Sequence, residues 1–211
     1  MQGPKQAQGA GVMLLLLALA APLVALAVEP AGSSASERAL ALCDALDDRP
    51  SAGAQAQLAR ALELAEQAVT ADAGDAKAHF AVFCALAKRT YLAGYSLGSL
   101  FAVRRLHREI DATLALAPDY SDALVAKAAF LLNLPRLLGG DVPAAQQLLL
   151  RVLAVEPDRI SARLYLAEAL FALEAPEAAR AEAQRALASA GAAGRPAQVD
   201  EARALLARFT R

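Results

Sequence analysis

The chain has 211 residues, 57% hydrophobic but only 5% aromatic, with no Trp. Ala and Leu predominate and β-branched residues are scarce, which favours packed helices and gives no expectation of a sheet. With 21 basic against 22 acidic side chains, there is no basic field for nucleic acid and no broad cationic face for anionic lipid.

The chain opens on residues 1–27, a short stretch whose only charged side chain is Lys5, followed by the apolar run from Gly11 to Ala27. Small residues at Ala25 and Ala27 suit signal peptidase, so residues 1–27 are expected to be a signal peptide and the mature chain to start at Val28, in the periplasm. The alternative is an uncleaved inner-membrane anchor, because about 17 apolar residues is the lower limit for spanning a bilayer. No Cys lies near the cut, which argues against a lipidated terminus. Cleavage removes Lys5 and leaves 20 basic against 22 acidic residues.

Residues 28–35 read as a flexible polar lead, with Ser36 as the cap of a first helix, ERALALCDALDD. A second helix is expected from about Ala54 to Ala71, and a third from near Asp75 carrying Phe80, Phe83, Leu86 and Ala87. A fourth covers roughly Leu100 to Ala117, a fifth starts after Asp119, and a sixth runs from Pro143, which suits a first turn, to Val155. Helices seven and eight form the hairpin ARLYLAEALFALEAPEAARAEAQRAL, residues 162–187. After residue 193 comes AQVDEARALLARF, whose Val199, Ala202, Leu205, Leu206 and Phe209 make one apolar stripe.

Such hairpins cannot bury their own apolar faces and need neighbours. The neighbours are present. LALAPDYSDAL at Pro118 recurs 39 residues later as LAVEPDRISAR at Pro157, and VTADAGDAKAH is a weaker copy 45 residues upstream of the first. Arg163, Leu166, Ala167 and Leu170, then Ala179 and Ala183, fall at the spacing of the tetratricopeptide repeat, which this chain resembles over roughly residues 34–193. Ala145, Leu149, Val152 and Pro157 keep the second-helix register, as do Leu106, Ile110, Thr113 and Pro118 with bulkier residues. The aromatic anchors of the family are mostly replaced, Arg163 standing for its Trp and Ala183 for its Phe.

The resemblance implies an all-α right-handed superhelix of about four helix hairpins across residues 36–193, closed by a capping helix in 194–211. Two units exceed the family's 34 residues. The third has its excess at LNLPRLLGGD, where Pro135 ends or kinks a helix and Gly139-Gly140 supply the positive φ of a turn. The second has its excess through RTYLAGYSLGSL, residues 89–100. This pairing looks like exported bacterial tetratricopeptide proteins, including accessory components of TRAP-type transporters.

Candidate chemistry is thin. Gly94-Tyr95-Ser96-Leu97-Gly98 matches a nucleophile elbow, but its flanks are helical and only His107 follows, so no strand or triad supports Ser96 as a nucleophile. Asp44, Asp47 and Asp48 read as a solvated helix end, the two histidines have no ligand spacing, and no phosphate loop or dinucleotide motif is present. The run Arg104, Arg105, His107, Arg108 is interleaved with Glu109 and Asp111 and reads as a face of local ion pairs. Cys43 and Cys84 are expected at similar heights on neighbouring helices, either as two buried thiols or as a disulfide. No enzyme activity, metal or cofactor is expected.

What remains is surface. The resemblance implies that first helices line a concave groove, formed by Lys77, Phe80, Cys84 and Lys88 from the second unit, by Asp122, Val125, Ala129, Leu132 and Asn133 from the third, and by Arg163, Leu164, Glu168 and Phe171 from the fourth. Phe80, Leu132, Leu164 and Phe171 read equally well as inter-helix core. If the strip is open, it suits a partly apolar segment of another protein, which makes the chain a non-enzymatic scaffold of the bacterial cell envelope. The alternative is an accessory protein that binds a hydrophobic small ligand or lipid, with residues 91–100 helping to wall a pocket.

Overall fold

The computed structural model describes residues 29–46, 53–93 and 99–209, with the backbone alone at Ser99 and Leu100. Among the described residues there are nine α-helices and no strand: α1 (Ser34–Asp44), α2 (Ala54–Ala71), α3 (Ala76–Ala93), α4 (Ser99–Leu116), α5 (Ser121–Asn133), α6 (Val142–Val155), α7 (Ile160–Ala172), α8 (Pro176–Ala192) and α9 (Pro196–Phe209). The leader 1–27, the Asp47-Asp48 pair and the Gly94–Gly98 motif lie outside the described residues. No described helix is long and apolar enough to cross a membrane.

Consecutive helices pack as hairpins, α1 with α2, α3 with α4, α5 with α6 and α7 with α8, and each hairpin stacks on the next. At both ends of the stack the contacts within and between hairpins are rich in alanine, while the α5–α6 hairpin is packed by Leu and Val. Ala61 and Ala65 of α2 meet Ala81 and Ala85 of α3 in one cluster, and Ala179, Ala183 and Ala186 of α8 meet Ala167 of α7 and Ala202 of α9 in another. Methyl side chains let helix axes approach toward the short end of the usual range of about 8–10 Å. The few larger side chains, among them Leu58, Leu149 and Val152, fill what alanine leaves. Helix α9 takes the place of a next first helix, resting on α7 and α8 with Leu205 and Phe209 buried, and so covers the apolar side of the last hairpin.

The polar details differ from expectation at two places. Helix α1 starts at Ser34 with Ser33 as its cap, the Ser33 hydroxyl accepting from the Ser36 amide at 3.2 Å. Ser36 is instead fully buried and donates its hydroxyl to Asp75 at 2.9 Å. The same carboxylate accepts from the Ser33 amide at 2.8 Å and from the Ala78 amide at 2.9 Å. Asp75 thus caps α3 and pins the first turn of α1 to it. Burial alone would raise its pKa, but these hydrogen bonds prevail and hold the carboxyl below its ordinary range.

The second difference is in the turn after α5. Pro135 stops the helix as expected and is followed by a single turn of 3₁₀ helix, Arg136–Leu138. Of the two glycines of this turn, Gly139 alone has a positive φ, 94°. Gly140 is needed for another reason: a Cβ there would lie 1.9 Å from the Leu134 carbonyl oxygen. Asp141 then caps α6, accepting from the Ala144 amide at 2.9 Å, with Pro143 in the first turn.

Two outcomes follow from these contacts. Because Asp75 has a lowered folded pKa, its contribution is complete above the unfolded value of about 3.9 and disappears as pH falls through the folded one. Asp75→Asn should therefore cost about 1–3 kcal/mol at pH 7, and thermal melts of the two proteins should converge as pH drops below about 4. Gly140→Ala should cost about 1–3 kcal/mol by forcing the turn open, whereas Gly191→Ala, in a helix with nothing near the new methyl, should leave the melting temperature equal or higher.

Candidate binding surface

The stack changes character at its centre. Helix α1 lies against α3, α5 against α7 and α7 against α9, but α3 and α5 do not approach closely along their backbones. Aromatic rings bridge them instead. Phe80 meets Tyr120 edge-on at 5.1 Å, Phe83 meets Phe130 edge-on at 5.5 Å, and His107 of α4 tilts over Phe130 at 4.8 Å. Lys127 of α5 adds an ion pair to Asp111 of α4 at 2.7 Å. Side chains of this size wedge α3 and α5 apart, where Ala39, Ala81 and Ala85 let α1 and α3 close. The C-terminal halves of α3 and α5 consequently flank an open cavity of about 460 Å³. Its walls include Phe83, Leu106 and Phe130, with Tyr91 and Tyr165 at the sides.

Of the residues expected in the groove, Cys84, Lys88, Ala129 and Asn133 line this cavity together. Phe80, Val125 and Leu164 are buried in the core. Lys77 extends toward Glu29 and Glu37 at 3.8 and 3.7 Å. Asp122 is paired with Arg159 across α5 and α7. Arg163 turns away from the first-helix face and reaches Glu182 of α8 at 2.7 Å. Leu132 is half-buried, Asn133 is exposed and donates to the Ala129 carbonyl at 2.8 Å. Glu168 accepts from Arg208 at 3.2 Å, and Phe171, partly exposed, stacks on Phe209 at 4.5 Å beneath the same guanidinium.

The cavity residues that sequence reasoning passed over are Phe130 and Tyr165. Phe130 stands next to Leu131 and Leu132 in an unbroken apolar run, and nothing in such a run distinguishes a wedge from ordinary core. The extension expected to wall a pocket does contribute Tyr91; residues 94–98 lie outside the described part.

The basic run of α4 is knitted into neighbouring helices rather than solvated alone. Arg105 pairs with Glu66 of α2 at 2.5 Å, while Glu109, almost fully buried, holds His79 of α3 at 2.8 Å and Arg108 at 3.3 Å. Lys88 donates to the Cys43 and Leu46 carbonyls at 2.8 and 3.1 Å, closing the C-terminal end of α1. Both cysteines are free thiols. Burial pushes Cys43 up to about 11, Lys88 opposing it, and burial with the neighbouring Cys43 raises Cys84 well above its usual value. Neither is a ready nucleophile near neutral pH.

This architecture is an all-α helical repeat of the tetratricopeptide type. Among solved structures, the chain is similar to the MamA RS-1 ArsTM double mutant, a tetratricopeptide-repeat protein, with a TM-score of 0.51 and 16% identity over 86% of this chain and 97% of that one. Likeness at that identity shows the fold alone. No family model matches the sequence, and no curated protein matches it.

Arg163, at the position where tetratricopeptide repeats carry a Trp, pairs with Glu182, and both side chains are mostly hidden, 15% and 12% exposed. Removing one charge strands the other, so Glu182→Leu should cost about 3 kcal/mol, and Arg163→Met somewhat less because Arg185 still reaches Glu182. The double variant should recover most of the loss. Urea melts of the four proteins give the coupling directly, and simple additivity would contradict the burial argument.

Proposed function

We propose that the chain is an exported, non-enzymatic scaffold that holds a partner polypeptide along the layer formed by its first helices. The observation that carries this reading is the repeat fold itself: α1, α3, α5 and α7 form one layer, and Leu132, Asn133 and Phe171 keep accessible surface on it. A layer that mixes apolar patches with ion pairs such as Asp122–Arg159 and Glu168–Arg208 suits a partly apolar segment better than a highly charged tail. In the same proposal the leader 1–27 sends the protein to the periplasm and is cleaved before Val28.

A photo-reactive residue placed at Leu132 or at Phe171 should cross-link to a partner in the cell envelope, while the same residue at Leu150 on α6 should not. Leu132→Glu with Phe171→Glu should reduce recovery of that partner at least tenfold, with helical content unchanged by circular dichroism. Equal cross-linking from Leu132 and Leu150 would end the reading. N-terminal sequencing of protein recovered from periplasm should begin at Val28; an intact Met1 would count against cleavage.

A further inference from the structure

The cavity between α3, α4 and α5 has features that holding a polypeptide does not call for. Its floor is made of residues that also belong to the core, Phe83 and Leu106, so it is a cleft with a wide mouth whose base reaches the core. Its volume of about 460 Å³ falls within the range of about 300–1,000 Å³ typical of small-molecule sites. The cavity is a consequence of sequence: where α1 and α3 meet through alanines such as Ala39, Ala81 and Ala85, α3 and α5 meet through Phe80, Phe83, Tyr120 and Phe130.

The polar groups of the lining indicate what such a site would accept. Lys88 turns its ammonium to two carbonyls of the α1 end. Thr90 donates its hydroxyl to the Leu86 carbonyl at 2.8 Å, and Asn133 donates its amide to the Ala129 carbonyl at 2.8 Å. These donors are satisfied by backbone, and no carboxylate lines the cavity among the described residues. A cation entering here would lose water without gaining a counter-ion, a cost of several kcal/mol, and an anion could gain Lys88 only by drawing its ammonium off the Cys43 and Leu46 carbonyls. A neutral apolar molecule would instead bring carbon into contact with rings and methyl groups that already exclude water.

We infer that this cavity is a binding site for one neutral, predominantly apolar small molecule, aromatic or aliphatic, held by Phe83, Leu106 and Phe130 and gated in size by Tyr91 at its edge. The site goes beyond polypeptide binding and does not depend on it: Asn133 belongs to both, but Leu132 and Phe171, where the polypeptide reading is tested, are not among its walls.

The probe is N-phenyl-1-naphthylamine, an uncharged aromatic dye that brightens in apolar surroundings, titrated into the full mature chain. One saturable site per chain is expected. Ala129→Phe fills the cavity and should weaken dye binding at least tenfold while the melting temperature holds or rises. Tyr91→Ser, a change at a side chain 65% exposed, leaves the core intact and should weaken binding several-fold even if the filled variant does not fold. Leu150→Ser, on an exposed apolar residue of α6, should bind dye as the parent does. Absence of saturable binding, or undiminished binding by Tyr91→Ser together with a folded Ala129→Phe, would overturn the inference. Such a result would leave the cross-linking outcome at Leu132 untouched, so the two readings fail separately.

Discussion

The structure depends on how closely two helix backbones can lie, and that distance is set by alanine. In the α1–α2–α3 and α7–α8–α9 clusters, more than half of the buried residues are alanines with no measurable exposure, such as Ala61, Ala81, Ala167 and Ala183. Each buries little area on its own, at about 25 cal/mol per Å². Their value lies in letting long stretches of backbone and neighbouring side chains share dispersion contacts at high density. A repeat built this way does not need the large aromatic anchors whose absence weakens its family pattern.

Against that background, the centre of the molecule is the exception that gives it a distinct site. Four aromatic side chains gather at the junction of α3 and α5, although the whole chain has few of them. They satisfy one another edge to face and leave volume beside them rather than beneath them. Polar groups compensate for the lost backbone proximity: Lys127 with Asp111 joins α4 to α5, His107 lies near the Leu138 carbonyl at 3.1 Å, and Asp122 with Arg159 carries the stack onward to α7. The two halves of the array are therefore joined by specific side-chain contacts, and the alanine-lined hairpins on either side can remain uniform.

Much of the fold was legible because repetition is a sequence property. The 39-residue recurrence and the spacing of Ala179 and Ala183 locate hairpins without reference to any contact, and α2 begins and ends where its apolar period does. The face of a first helix is harder to read. Helix α7 packs on α5, α6, α8 and α9, so it is apolar nearly all round and its period singles out no free side. Arg163 and Leu164, adjacent in sequence, consequently leave the groove in different directions, one to Glu182 and the other into the core. Ser36 looked like a cap because serine before an apolar run usually is one; its true partner, Asp75, lies in the next hairpin, and no local pattern announces a bond of that separation. The cavity is less legible still, since it comes from the sum of side-chain volumes across three helices.

The Asp75 tie also fixes an orientation. By holding Ser33 and Ser36 at the beginning of α3, it makes the polypeptide enter the folded body at that pole, while the hollow beside Tyr91 and Asn133 lies at the opposite pole, beyond most of the length of an 18-residue helix. Residues 29–33 are thereby held at the end of α3 away from the opening. The first turn of α1 and the mouth of the hollow therefore belong to different ends of the same helix, and one carboxylate secures the first of them.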